Sequence, residues 1–222
     1  MTIRLGVIAD DFTGATDIAG FLVSNGLSAV QVTGVPEGPL DEVDAIVVSL
    51  KSRSIPADEA VSMSLAALDA LRAAGAERIL FKYCSTFDST PAGNIGPVTD
   101  ALMAALGADL TVICPSLPVN GRTVYQGHLF VGDVLLSESG MRNHPVTPMT
   151  DPNLVRVMEA QSSGRAGVVP FAVIQQGPDA TRAALARLEE DGVRYAVLDT
   201  LTDVDLTTIG AATVDLPLTT GG

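Results

Sequence analysis

The chain has 222 residues, 47% of them hydrophobic and only 4% aromatic, and its formal net charge at pH 7 is −13. This charge argues against nucleic-acid and membrane partners, and no apolar run approaches the roughly 18 residues of a membrane span. With no recognisable signal peptide and no disulfide or zinc spacing at Cys84 and Cys114, we expect a soluble cytoplasmic protein.

The first half of the chain alternates apolar β-type runs with helical segments. Strands are predicted over residues 3–9, 29–33, 45–50, 78–83 and 110–114. Helices are predicted over residues 15–24, 57–74 and 95–106, and residues 34–40 form a loop rich in Pro and Gly.

The second half starts with a change of pattern. Residues 123–136 predict short antiparallel strands or a hairpin, followed by a polar loop over 137–149. A helix with Thr150 as its N-cap runs to about residue 160, and residues 166–174 contain a strand broken by Pro170. A helix over 179–191, a strand over 195–199, and then a short helix and a tail complete the chain.

This alternation is typical of an α/β fold. We predict a single domain over residues 1–222: an open, mostly parallel sheet with helices on both faces, Rossmann-like in three layers, with an inserted short β-hairpin.

Polar clusters follow four of the predicted strands. They are residues 10–11, 51–54, 82–94 and 120–122. Ligands of open parallel sheets bind at the carboxyl ends of the strands, so the clusters are expected to face one crevice.

Three of these clusters contain candidate catalytic and anion-binding groups. Crowding of Asp10 and Asp11 suits a general base, although Asp11 or Thr13 could instead simply cap the next helix. Arg53 and Lys82 are the best placed cations, and in so acidic a chain they suggest an anionic ligand. Ordinary surface pairing is the alternative for both.

Residues 82–96 are the most informative segment. They place four hydroxyls, a carboxylate and an amide between a strand and a helix, and Gly93 and Gly96 allow the backbone to approach a ligand. The helix N-terminus offers N–H groups to an anion. This mixture suits a polyhydroxy acid, although a polar surface loop with a capped helix is the simpler alternative.

Several other sites are absent from the sequence. It contains no phosphate-binding P-loop, no dinucleotide-binding glycine pattern and no nucleophile elbow. His128 and His144 fit no metal spacing, but His144 is a candidate substrate contact.

The polar segments resemble the N-terminal domain of the four-carbon acid-sugar kinases. The shared patterns are A-D-D-F-T-G-A-x-D at residues 9–17, K-S-R-S at 51–54, and K-Y-C-S-T-F-D-S-T and G-N-I-G at 82–90 and 93–96. Two more patterns resemble the 3-oxo-tetronate kinase branch in particular, P-V-N-G-R-T-V-Y-Q-G-H-L-F at 118–130 and H-P-x-T-P-M at 144–149.

This resemblance implies an activity. Such enzymes transfer the γ-phosphoryl group of ATP to the terminal hydroxyl of a four-carbon sugar acid. The N-terminal domain holds the acid, and a C-terminal domain that is absent from this chain provides most of the contacts to ATP and Mg²⁺. We therefore expect a sugar-acid ligand, a nucleotide-binding partner domain, a possible homo-oligomer, and no bound cofactor or turnover by this chain alone.

The resemblance also implies site residues. The catalytic candidates, one of which would accept the hydroxyl proton, are Asp10, Asp11 and Asp88. The substrate-binding candidates are Arg53, Lys82, Ser85, Thr86, Ser89, Gly93, Asn94, Gly96, Asn120, Arg122 and His144.

Two other functions are considered. A stand-alone module could bind a sugar acid without catalysis. Residues 7–14 loosely resemble the first motif of haloacid-dehalogenase phosphohydrolases, but Phe12 stands where that chemistry needs a second Asp, which argues against it.

Overall fold

A computed structural model describes residues 3–36, 38, 43–87 and 90–222. The strands are β1 Leu5–Ala9, β2 Ala29–Thr33, β3 Ala45–Ser49, β4 Ile79–Lys82, β5 Thr111–Cys114, β6 Arg122–Tyr125, β7 His128–Val131, β8 Val134–Leu135, β9 Arg165–Val169, β10 Val193–Leu198 and β11 Leu218–Gly221. The α-helices are α1 Phe12–Ser24, α2 Ala57–Ala73, α3 Ile95–Leu106, α4 Leu154–Gln161, α5 Phe171–Ile174, α6 Pro178–Glu190 and α7 Asp203–Thr213. Short 3₁₀ helices cover Pro118–Asn120, Leu136–Glu138 and Gly140–Asn143.

The predicted α/β architecture is confirmed. Among the described residues, eight strands form one sheet in the order β2-β3-β1-β4-β11-β5-β10-β9, and every pairing is parallel. The insertion is a three-stranded antiparallel sheet, β6-β7-β8, rather than a single hairpin.

Helices cover both faces of the parallel sheet, but not equally. On one face a continuous apolar cluster joins the sheet to α2, α3 and α4, with Phe81 and Tyr195 near its centre. On the other face there are two separate clusters, one under α1 and one under α5, α6 and α7. Strand β11 lies between the two clusters, and this face carries a groove between α1 and α7.

Strand β11 is the main element that the sequence pattern did not predict. Residues 218–221 were expected to be a tail, yet they pair with β4 on one side and β5 on the other. The Thr220 side chain is buried, donates to the Val112 carbonyl at 2.8 Å and lies 2.9 Å from the Tyr83 hydroxyl. These bonds satisfy a polar residue inside the core, which is why a central strand exists here without an apolar run.

Two other boundaries differ from the prediction. Helix α4 begins after Asn153, whose side chain accepts from the Arg156 N–H at 3.0 Å, so Thr150 is not its N-cap. Beyond Pro170 the chain turns into the short helix α5 instead of continuing as a strand. The Phe171 N–H donates to the Asp199 carboxylate at 3.0 Å, which fixes the start of that helix.

Gly96 in α3 is required for close packing of two helices. An added Cβ would lie 2.7 Å from the backbone carbonyl oxygen of Gln161, at the end of α4. We therefore expect Gly96→Ala to lower the free energy of unfolding by about 2 kcal/mol, measured by urea unfolding. Gly210→Ala is the matched control, because a Cβ in that helix meets nothing within 4 Å. Equal effects of the two changes would contradict this packing role.

Candidate functional site

The groove between α1 and α7 opens into a cleft at the carboxyl edge of the sheet. Its volume is about 620 Å³. Its floor carries Lys82 from the end of β4, Cys114 from the end of β5, and Gly222 directly after β11. The strand-end residues therefore meet at one crevice, as open parallel sheets dictate.

Helix α1 starts at the rim of the cleft. Its N-cap is Asp11, whose Oδ1 accepts from the Gly14 N–H at 2.8 Å. A Cβ on Gly14 would lie 2.7 Å from that oxygen and 3.4 Å from Lys82 Nζ. Gly14 thus lets the helix terminus, the carboxylate of Asp11 and the ammonium of Lys82 come close together.

Arg53 bridges the two neighbouring carboxylates. Its Nε and Nη2 donate to the two oxygens of Asp10 at 3.0 and 2.7 Å, and its Nη1 lies 3.0 Å from Asp11 Oδ2. The Asp10 side chain is 7% exposed, whereas that of Asp11 is 27% exposed and lines the cleft. The guanidinium fork is thus already occupied by protein carboxylates, and Asp11 is the member of the pair that faces the cleft.

The charges in this group perturb one another. Burial raises the pKa of Asp10, and the hydrogen bonds from Arg53 counteract that rise. Burial acts against the charge of Arg53, but the bonds and charge of Asp10 outweigh it, so the pKa of Arg53 rises. The shift of Arg53 therefore follows from its partner Asp10, whereas the shift of Asp10 follows from burial, which the bonds from Arg53 offset only in part.

Lys82 is the buried cation of the cleft floor. The residue is 8% exposed, and its Nζ donates to the Tyr83 carbonyl at 2.7 Å. Burial lowers the pKa of Lys82, and the charge of Asp10 acts in the opposite direction. An ammonium has three N–H donors. Within the described ranges one of them has a protein acceptor, so Lys82 has capacity left for an anion in the cleft.

The segment after β4 contributes part of what was predicted. Ser85 and its neighbour Cys84 line the cleft. Thr86 is buried, lies 2.8 Å from Cys84 Sγ and is not among the described lining residues. Asp88 and Ser89 lie outside the described residues. Gly93 occupies a turn in which its N–H donates to the Thr90 carbonyl at 2.8 Å.

Asn94 and Gly96 are close to the site but are not among the residues that line the cleft. The Asn94 amide faces the backbone of residues 52–55, and the Gly96 N–H donates to Gln161 Oε1 at 2.9 Å. Both therefore contact protein groups where a ligand contact was predicted.

The later candidates are divided between the cleft and its surroundings. Asn120 lines the cleft, and Arg122 donates from Nη1 to the Asn120 carbonyl. His144 accepts from the Thr147 N–H at 3.1 Å. Of these three residues, the described lining contains Asn120 alone.

The prediction missed most of the walls of the cleft. Helix α1 supplies Asp17, Ile18 and Phe21, and helix α7 supplies Asp203 and Leu206. Their helical spacing alone could not show that they face an opening rather than a core. Ser116 and Leu117, directly after β5, could have been found by the strand-end rule that identified the other segments.

The arrangement suits a small anion with hydroxyl groups. Lys82 supplies a positive charge, Asp11 a proton acceptor, and Ser85 and Asn120 hydrogen-bonding groups. Within the described ranges, no group of three or more His, Cys, Asp or Glu side chains could hold a metal ion. The same part of the chain contains no helix that is both long and apolar enough to span a bilayer.

Known proteins are similar in sequence to this chain over nearly its full length. The family model described as "Sugar-binding N-terminal domain" matches residues 5–222. The chain is 62% identical to a 3-oxo-tetronate kinase of Brucella melitensis, covering 99% of this chain and 50% of the relative. It is 63% identical to a 3-oxo-tetronate kinase of Escherichia coli, covering 99% of this chain and 57% of the relative. The chain thus spans about half the length of the curated relatives it matches.

Solved structures share its fold. A Haemophilus influenzae crystal structure superimposes with a TM-score of 0.96 at 57% identity, covering 98% of this chain and 53% of that one. A Bordetella bronchiseptica domain of unknown function, crystallised with citrate as a domain-swapped dimer, has a TM-score of 0.82 at 28% identity, covering 100% and 55% of the two chains. The family resemblance predicted from the polar segments is confirmed: the chain belongs to the family of sugar-binding N-terminal domains.

Proposed function

We propose that this chain is the acid-sugar-binding domain of an ATP-dependent kinase that phosphorylates the terminal hydroxyl of a four-carbon sugar acid, forming a 3-oxo-tetronate 4-phosphate. The observation that carries the proposal is the cleft, where Asp11 and Lys82 face one opening beside the Arg53 ion pair. The names of the relatives with 62% and 63% identity support the same activity.

The size and lining of the cleft agree with such a ligand. Its volume of about 620 Å³ is within the range of small-molecule sites. The citrate bound to the Bordetella relative is a small hydroxylated carboxylate, which supports an anion of this class. That relative also forms a domain-swapped dimer, while self-association of the present chain stays a prediction.

In this proposal the side chains have distinct roles. Lys82 binds the substrate carboxylate or balances charge on the transferred phosphoryl group. Asp11 accepts the proton of the substrate's terminal hydroxyl. The hydroxyl oxygen forms the new bond to the γ-phosphorus of ATP, and ADP leaves. Arg53 keeps Asp10 and Asp11 in place, where the sequence had suggested a direct carboxylate clamp. Catalysis of phosphoryl transfer depends mostly on positioning and electrostatics, and these contacts are the positioning and charge that a substrate-binding domain would supply.

ATP and Mg²⁺ would be held mainly by the part of the longer relatives that this chain does not match. The described residues of this chain do not fit that role, because they contain no candidate metal cluster and the sequence has no P-loop. No step of the reaction is therefore assigned to metal- or nucleotide-binding residues of this chain. A stand-alone binding module remains the alternative.

Calorimetry with four-carbon acids tests the proposal. We expect the chain to bind a tetronate such as threonate or erythronate, and not to bind ATP. Lys82→Gln should weaken tetronate binding about tenfold or more, because it removes a largely buried charge from the floor. Lys51→Gln is the matched control, since Lys51 is exposed after β3 and lies outside the described lining. Absence of tetronate binding, or equal affinity in the Lys82 variant, would refute the assignment.

A further inference from the structure

We infer that Asn94 is a positioning residue, which holds the backbone of residues 52–55 and thereby directs Arg53 toward Asp10 and Asp11. This inference rests on the proposed function for its consequence in binding, but its geometry is independent of the ligand. It assigns to Asn94 a role behind the ion pair, instead of the direct substrate contact that its sequence context suggested.

The amide of Asn94 is surrounded by acceptors. Its Nδ2 donates to the carbonyls of Ser52 at 2.7 Å, Arg53 at 3.2 Å and Ile55 at 2.9 Å. An amide nitrogen has two hydrogens, so one of them is shared between two of these carbonyls. The residue is only 7% exposed. A side-chain oxygen in the same place would face three carbonyl oxygens, so the site requires a donor.

A helix-capping role does not account for these contacts. Asn94 precedes α3, and an N-cap Asn normally accepts a hydrogen bond from a backbone N–H in the first turn of its helix. The Asn94 side chain accepts no such bond from the first turn of α3, and the backbone of Asn94 is in the helical region. Asn94 is thus used as a donor to a distant turn and not as an acceptor for its own helix.

The turn held by Asn94 carries the arginine of the ion pair. The Ser52 N–H donates to the Asp10 carbonyl at 3.0 Å, which fixes the start of the turn to the end of β1. Beyond that point the three bonds from Asn94 fix the path of the backbone on both sides of Arg53. Arg53 is long and 23% exposed, so a shift of its backbone would change where its guanidinium meets the carboxylates.

Asn94 lies behind the ion pair and not on the wall of the cleft that the described residues form. Together with Asp10, Ser52 and Arg53 it lines a separate cavity of about 10 Å³. That volume is close to the minimum for a single water molecule, so it cannot hold a sugar acid. Arg53 and Cys84 line both this cavity and the cleft, and Arg53 is the one of them that belongs to the ion pair.

The first measurement follows Arg53 itself. We expect its Nε–H to give a slowly exchanging ¹⁵N NMR signal in the unmodified chain, because that N–H donates to Asp10 Oδ2 at 3.0 Å. In Asn94→Asp, which keeps the shape but replaces the donor with acceptors, this signal should exchange rapidly or be lost. In Asn94→Ser, which keeps one hydroxyl donor, protection should be intermediate. The Ser variant also serves if the Asp variant fails to fold.

The second measurement is tetronate affinity of the same variants. Asn94→Asp should weaken binding about tenfold or more, because Arg53 and Asp11, which line the cleft, would no longer be held in the arrangement that the ligand meets. Asn143→Asp makes the same chemical change at an exposed position outside the described lining and should bind like the unmodified chain. Weaker binding with an unchanged Arg53 signal would mean that Asn94 contacts the ligand directly, and would overturn the inference. An unchanged Arg53 signal with unchanged binding would overturn it as well.

The two readouts separate this inference from the proposed function. If the unmodified chain binds no tetronate, the proposed function fails, yet the Arg53 signal still decides whether Asn94 positions the ion pair. If tetronate binds and the Arg53 signal is the same in all the variants, the proposed function stands and the role of Asn94 is refuted.

Discussion

Replacing Arg53 by alanine is expected to destabilise the protein by about 3 kcal/mol at pH 7, as measured by urea unfolding. The change removes both donors of the fork that holds Asp10, at 3.0 and 2.7 Å, and leaves a carboxylate that is 7% exposed without its partner. Removing one member of a buried pair costs more than the pair contributes, because the remaining charge stays desolvated.

The Arg53→Ala effect should depend on pH in a defined direction. Burial already raises the pKa of Asp10 above its ordinary value of 3.8, and Arg53 counteracts this. Without Arg53 the folded chain holds that proton still more tightly than the unfolded chain does. The stability of the variant therefore falls as pH rises from the pKa of Asp10 in the unfolded chain to its higher pKa in the folded chain. The variant should regain stability on acidification from pH 7 toward pH 4.

An exposed ion pair of the same shape provides the control. Arg156 donates from Nε and Nη2 to the two oxygens of Asp151 at 2.8 and 2.6 Å, but its side chain is 62% exposed. Arg156→Ala should therefore destabilise the protein much less than Arg53→Ala, since solvent replaces the lost partner. Equal losses in the Arg53 and Arg156 variants would show that burial of Asp10 does not determine the effect.

Asp199→Ala is the second large expected effect, a loss of at least about 3 kcal/mol in the free energy of unfolding. Asp199 is fully buried at the end of β10, and its carboxylate accepts from the N–H groups of Gln126 at 2.9 Å, Gly127 at 2.9 Å and Phe171 at 3.0 Å. Alanine would leave these three backbone donors without an acceptor inside the protein, and each such group costs about 1–3 kcal/mol.

These bonds connect separate elements. Gln126 and Gly127, both with positive φ, form the turn between β6 and β7, while Phe171 begins α5. Asp199→Asn is the matched control, because it keeps the shape and one acceptor oxygen, and it should cost less than alanine. The comparison is made by urea unfolding of both variants. An alanine variant as stable as the asparagine variant would contradict the role assigned to the carboxylate.

The regular part of the fold could be predicted from the sequence because its signals are local. Strand β2 and helix α3 have the predicted boundaries, since apolar periodicity and flanking turn residues define each of them within a few positions. Strand β11 could not be predicted in this way. The buried Thr220 is stabilised by partners more than 100 residues away, and no local pattern shows such partners.

The candidate site was predictable where strand topology alone determines it, and not where the direction of a side chain decides. The strand-end rule identifies Asp11, Lys82 and Ser85, because topology alone brings the ends of parallel strands to one edge. It could not distinguish a polar side chain that faces the cleft from one that faces the backbone behind it. Asn94 follows the same loop as Ser85, yet its amide is used by the protein itself. His144 likewise hydrogen-bonds to nearby Thr147.

The central place of β11 affects how the sheet can assemble. The last strand in chain order lies between β4 and β5, so β2-β3-β1-β4 and β5-β10-β9 have no shared hydrogen bonds until it arrives. Pairing over such sequence distances favours slow, late closure. During synthesis the two halves would stay separate sheets, with β4 and β5 as unpaired edge strands, until residue 221 leaves the ribosome.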